Sequence, residues 1–266
     1  EVNAKMFLSH ISLTAVLVVL SAVPVTSLAE DTVTIGGVTV SADCALARKE
    51  HPRLLFTKAD LPRLRARLGH PRIAAELEHA KQLAAENKAG AILLGVLYYL
   101  TEEERYIEAA KSKLEPSWVQ TYPLAADLVM GAMTPAQQQA EADRIVEIVK
   151  KERWRPHVVL DLAAWGHGHD DFLDADLKTR LRTDMIEGIE YNNLWSQGRG
   201  GSSMSHGYYG EHFYSEWFSM AVAWSNATGQ DWISKCDFAA HTPEYYIYHY
   251  RPWTWPPQVV HVGVNA

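Results

Sequence analysis

The stretch "SHGYYGEHFYSEW" (205–217) gathers His206, Tyr208, Tyr209, Glu211, His212, Tyr214 and Glu216 within thirteen positions, with Gly207 and Gly210 among them. Imidazole, phenol and carboxylate are the side chains that take up and release protons in general acid–base catalysis. His212 and Glu216 stand four apart, so a helix beginning near His212 puts both on one face. There Glu216 orients the imidazole or meets a substrate, or the two form a plain helix-start ion pair. His206, Tyr208 and Tyr209 lie on a glycine-flanked loop, the setting in which a rigid scaffold presents binding groups. Each of them is also suited to ordinary surface or packing duty.

Two further clusters invite chemistry. "WGHGHDD" (165–171) carries His167 and His169 beside Asp170 and Asp171. No third cluster has matching ligand spacing, so a turn connecting two helices is favoured over a metal site. No metal and no cofactor is expected. Asn192 and Asn193 in "EYNNLW" are amide groups able to bind a carboxylate, or to cap a helix C-terminus. Cys44 and Cys236 either pair in an oxidising compartment or stay as buried thiols.

The chain has 266 residues, 47% apolar and 21% charged, enough for a sizeable core in one large domain or two small ones. A formal charge of −7 argues against a general nucleic-acid binder and leaves room for a local basic cleft. Nine Trp and twelve Tyr suit stacking on sugar rings or filling a core. Lys5 and Met6 precede the apolar "FLSHISLTAVLVVLSAVPV", and "SLA" at 27–29 offers small residues for cleavage. Residues 1–29 therefore read as an export signal, giving a secreted or periplasmic protein with no membrane association after cleavage.

Residues 30–50 alternate about Gly36 and Gly37 as a short hairpin or extended lead-in. "HPRLLFTKADLPRLRARL" starts extended, then offers Thr57 or Asp60 as an N-cap and Pro62 in the first turn. The amphipathic "PRIAAELEHAKQLAAENK" follows. Four inner-and-outer helix pairs come next. They are "AGAILLGVLYYL" with "TEEERYIEAAKSKL", and "YPLAADLVMGAM" with "TPAQQQAEADRIVEIVKKE". The third joins "HVVLDLAAWGHGHDD" to "DADLKTRLRTDMIEGIEYNN", and the fourth joins "EHFYSEWFSMAVAWSNA" to "GQDWISKCDFAAHTPEYYIY". Apolar helices alternating with amphipathic ones predict an all-α fold, an incomplete (α/α) toroid of hairpins spanning 51–266. The chain stops after "HYRPWTWPPQVVHVGVNA" without a closing element, which reads as truncation.

"HPRLLFTKADLPRLRARL" and "GEHFYSEWFSMAVAWSNATGQDW" together resemble the heparinase II/III-like polysaccharide lyases. The resemblance implies an α/α toroid followed by β-sheet domains that are missing here. It also implies cleavage of uronate-containing acidic polysaccharide by β-elimination. That reaction removes the proton beside a carboxylate and expels the glycosidic oxygen. It needs a carboxylate neutraliser, a base and an acid. His212 matches the family's histidine before Ser-Glu and becomes neutraliser or base, although Phe213 and Tyr214 are additional to the pattern. Asn192 and Asn193 take the place of an asparagine that polarises the uronate, with Leu194 where histidine often follows. Trp217 and Tyr248 are assigned to substrate binding. The family's catalytic tyrosine has no clear match among Tyr245, Tyr246, Tyr248 and Tyr250. Two other readings compete. One is a hydrolase pairing Glu211 or Glu216 with Asp170 or Asp171. The other is a non-catalytic carbohydrate-binding fragment.

Overall fold

The computed structural model describes residues 31–116, 121–151, 157–196, 218–237, 250–251 and 258–259. It is mostly helical. Residues 30–50 contain a hairpin, β1 (Thr32–Ile35) and β2 (Val38–Ser41), paired antiparallel with Val33 opposite Val40. Gly36 makes its tight turn at φ +58°, and a Cβ there would meet Leu177 Cβ at 2.9 Å. The turn is tied down where the Gly36 amide donates to Asp174 Oδ1 at 2.7 Å.

After a 3-10 turn (Lys58–Asp60) come α1 (Leu61–Ala66), α2 (Pro71–Ala85), α3 (Ala91–Thr101) and α4 (Glu104–Ser112). Next are α5 (Tyr122–Met130), α6 (Pro135–Lys151), α7 (His157–Ala164) and α8 (Asp170–Arg180). A π-helical segment (Leu181–Ile186) continues α8 into α9 (Glu187–Ser196), and α10 (Ser219–Thr228) follows. A two-residue pairing joins β3 (Tyr250–Arg251) to β4 (Gln258–Val259). Local signals set several boundaries. Thr57 and Asp60 form a capping box. Thr134 and Gln137 exchange side-chain-to-backbone bonds ahead of Pro135, which is the capping-box logic at the start of α6.

The apolar helices form the inner layer. α3 packs on α5, α5 on α7 and α7 on α10, while α4, α6 and α8 cover them from outside. Burial follows the sequence pattern: Leu128, Val129, Met130, Leu160, Leu162, Ala221 and Trp224 are all inaccessible to solvent. The α8–π–α9 stretch is continuous, as its hydrophobic pattern predicts, but widens after Thr179 and Thr183, whose hydroxyls bond back to the carbonyls four residues earlier.

One element departs from expectation. The outer helix expected after α10 does not begin before Asp237, which is helical, and residues 230–236 are irregular chain and turn. Gly229 ends α10 in the left-handed region. Beyond it, side chains satisfy the backbone: Ser225 Oγ accepts the Trp232 amide and Asp231 Oδ1 the Ser234 amide. Local hydrogen bonds of this kind compete with helix formation.

The four inner helices point the same way, because residues 44–56 run as a strap across all their C-terminal ends. Phe56 packs edge-on against Tyr99 of α3, and Asp127 of α5 accepts the amides of Arg53 and Leu54. Arg53 reaches the end of α7, and in α10 Asn226 Nδ2 donates to the Leu54 and Leu55 carbonyls while Ala227 O accepts the Leu46 amide. Both amide hydrogens of Asn226 are thereby used in holding the strap to α10. Cys44 and Cys236 are free, buried thiols. Burial raises both, Cys236 to about 12, so neither is a thiolate near neutral pH.

Candidate functional site

The strap carries a polar cluster into an otherwise apolar interior. Arg53 is fully buried, and its guanidinium donates to the carbonyls of Leu162 (2.9 Å), Ala163 (3.1 Å) and Trp165 (2.7 Å). These carbonyls at the end of α7 have no partner inside the helix, and a cation there also suits the negative end of the helix dipole. Asp127, also fully buried, balances the charge. Its Oδ2 accepts the Arg53 and Leu54 amides and its Oδ1 lies 2.7 Å from His51 Nδ1. His51 Nε2 in turn stands 3.0 Å from Nε2 of His167, the two rings stacked with centroids 5.2 Å apart.

This geometry fixes the tautomers. A carboxylate can only accept, so His51 Nδ1 carries the proton and its Nε2 is a lone pair. His167 must then donate from Nε2. Burial and the Arg53 cation lower both imidazoles to about 4, so the pair is neutral at neutral pH. At the rim, Asp170 Oδ1 accepts the Gly166 amide and its other oxygen lies 3.5 Å from Lys49 Nζ. His169 Nε2 meets Asp143 Oδ1 at 2.6 Å. The "GHGH" turn therefore serves two separate partners. Among the described residues, no group of three or more His, Cys, Asp or Glu is arranged to hold a metal ion.

A second buried acid sits behind this cluster. Asp161 of α7 is inaccessible to solvent, and its carboxyl faces that of Asp176, to which it can donate only when protonated. Burial first, and then the charge of Asp176, holds it well above the usual carboxylate range. Arg180 serves Asp176 (3.5 Å) and Asp184 (3.3 Å) instead of Asp161.

His206, Tyr208, Tyr209, His212, Glu216, Trp217 and Tyr248 lie outside the described residues. Asn192 sits in α9, its side chain likewise outside them. Asn193, in the same helix, donates from Nδ2 to the Lys235 carbonyl at 2.6 Å, tying α9 to the turn after α10. Asp170 is engaged by the Gly166 amide and Lys49. Sequence reasoning missed the roles of His51, Arg53, Asp127 and Asp161. Two signals for them stood in the chain: a lone Asp inside "YPLAADLVMGAM" and another inside "HVVLDLAAW", each a charge in an apolar helix that must be paired or neutralised.

No protein-family model, curated protein or solved structure matches the chain. Among the described residues, no helix is long and apolar enough to cross a membrane.

Proposed function

We propose that the chain is a polysaccharide lyase domain, built on an (α/α) toroid, that cleaves uronate-containing acidic polysaccharide by β-elimination. The supporting observation is that the two stretches carrying the lyase resemblance meet in space. Asn226, from the second, donates to the Leu54 and Leu55 carbonyls of the first, 172 and 171 residues away. The strap occupies the C-terminal ends of the inner helices, so a substrate would be met at their N-terminal ends. Residues 205–217 lead directly in sequence into the N-terminus of α10. Helix N-termini favour anions, in keeping with a uronate substrate.

In this reading His212 neutralises the uronate carboxylate or takes its neighbouring proton, Glu216 orients it, and Tyr208, Tyr209 and His206 supply the remaining proton transfer. Asn192 and Trp217 bind the sugar. In the hydrolase alternative, which pairs Glu211 or Glu216 with Asp170 or Asp171, Asp170 would have to act while holding the Gly166 amide and Lys49.

The test offers the protein a panel of uronate-containing polysaccharides and follows the ultraviolet absorbance of the unsaturated product. Absorbance should rise on at least one substrate, and His212→Ala should lower the rate at least 100-fold. Binding without any absorbance change, on every substrate, would replace this reading with a carbohydrate-binding module.

A further inference from the structure

We propose that residues 44–56 form an acid-released latch, opened when the His51–His167 pair takes up two protons while the helices it spans stay folded. The proposal stands on how the hydrogen bonds are wired and is independent of the catalytic reading.

In the neutral pair, His167 Nε2–H donates to the His51 Nε2 lone pair, 3.0 Å away. A first proton on His51 is tolerated. His51 then donates from both nitrogens, to Asp127 and to His167, and the contact survives with its polarity reversed. A second proton is not tolerated, because both Nε2 atoms would then carry hydrogens aimed at each other. The charge balance points the same way. The groups facing the pair are Arg53, Lys49, Asp127 and Asp170. Lys49 is already beside Asp170, at 3.5 Å. The inner cluster is thus one guanidinium against one carboxylate at neutral pH, and would become three cations against that carboxylate.

The two histidines lie on different elements. His51 is on the strap and His167 is on the turn after α7. Their repulsion therefore separates the strap from the helix ends instead of straining one helix. The depressed imidazoles place release in acid, and the need for two protons makes it steep.

Cys44 is a reporter within the strap, buried and unpaired in the closed state. Its modification by 4,4′-dithiodipyridine, which reacts with thiols in acid, can be followed between pH 7 and 3.5 on the whole chain. Peptide mapping separates it from Cys236, and each rate is normalised to the chain unfolded in guanidinium. Far-UV circular dichroism is recorded in parallel. The latch predicts at least a tenfold rise in Cys44 labelling in acid at unchanged helical signal, with a two-proton steepness. His167→Gln should move release to lower pH and make it shallower. Glutamine can donate to the neutral His51 and accept from the protonated one. A flat Cys44 rate would overturn the proposal. So would labelling that follows loss of helix, or a His167→Gln profile identical to that of the parent.

Discussion

Three hydrogen bonds from the strap converge on the Asp127 carboxylate. It balances Arg53, fixes the tautomer of His51 and accepts two consecutive strap amides. Replacing it with asparagine keeps the shape and removes the charge. The Arg53 guanidinium then loses its main compensating charge, and either the two strap amides or His51 Nδ1 faces an NH2 group. Leaving a buried charge uncompensated costs about 3–5 kcal/mol. Urea unfolding of Asp127→Asn should show a loss of that size. Arg63→Gln, which removes a partly exposed partner of Asp60 at 3.0 Å, should cost under about 1 kcal/mol. Similar losses for both would mean that the cluster is not a stability centre. The chain announces such residues only partly. A charge within an apolar helix shows that a partner is needed, but not which one. The partners of Asp127 lie over seventy residues away in sequence, at separations of 76, 74 and 73.

At the scale of elements, the hydrophobic period and capping signals located α3 to α8 well, because each is decided by neighbours within one or two turns. The turn at 230–236 was not legible. Its backbone is satisfied by Ser225 and Asp231, and Gln230 also reaches across to the Thr39 carbonyl, a contact that exists only after folding. Gly131, at the end of α5, shows the same limit. Its φ of −61° is one that any residue adopts, and glycine-to-alanine in a helix ordinarily stabilises by about 1 kcal/mol. Here a Cβ would lie 2.1 Å from Tyr99 Oη and 2.9 Å from the His51 carbonyl. Tyr99 cannot simply swing away, since it is buried and donates to the Leu128 carbonyl at 3.0 Å. Gly131→Ala should therefore destabilise by about 1–3 kcal/mol. In a Tyr99→Phe background, where the closest atom is gone, the same change should cost less. A thermal melt in which Gly131→Ala is more stable than the parent would show that strap and helix end are not in close contact.

Across the whole molecule, two buried groups pull stability in opposite directions with pH. The imidazoles of His51 and His167 are lower in the folded than in the unfolded chain, so the unfolded state binds more protons in acid. Their contribution is complete above about 6.5, the ordinary histidine value, and is lost as pH falls towards 4. Asp161 behaves in the reverse sense. Its folded-state value is raised, so the folded chain retains a proton that the unfolded chain releases above about pH 4. Its favourable contribution is complete below that point and declines as pH rises through the folded value, by roughly 1.4 kcal/mol per pH unit in that window. Between pH 4 and 6.5 two histidines outweigh one aspartate, and stability rises with pH. Above 6.5 the histidine contribution is constant, so the parent should gain melting temperature between pH 4 and 6.5 and gain nothing further from the histidines beyond it. Asp161→Asn removes the ionisation while conserving the shape, so its melting temperature should match the parent near pH 4 and exceed it increasingly as pH rises from there. The expected gain is a few degrees per pH unit, since about 1 kcal/mol shifts a domain of this size by roughly 2–4 °C. A difference between the two proteins that stays constant from pH 4 to 9 would mean that Asp161 keeps its charge in the folded chain, with Arg180 turned towards it and away from Asp176 and Asp184.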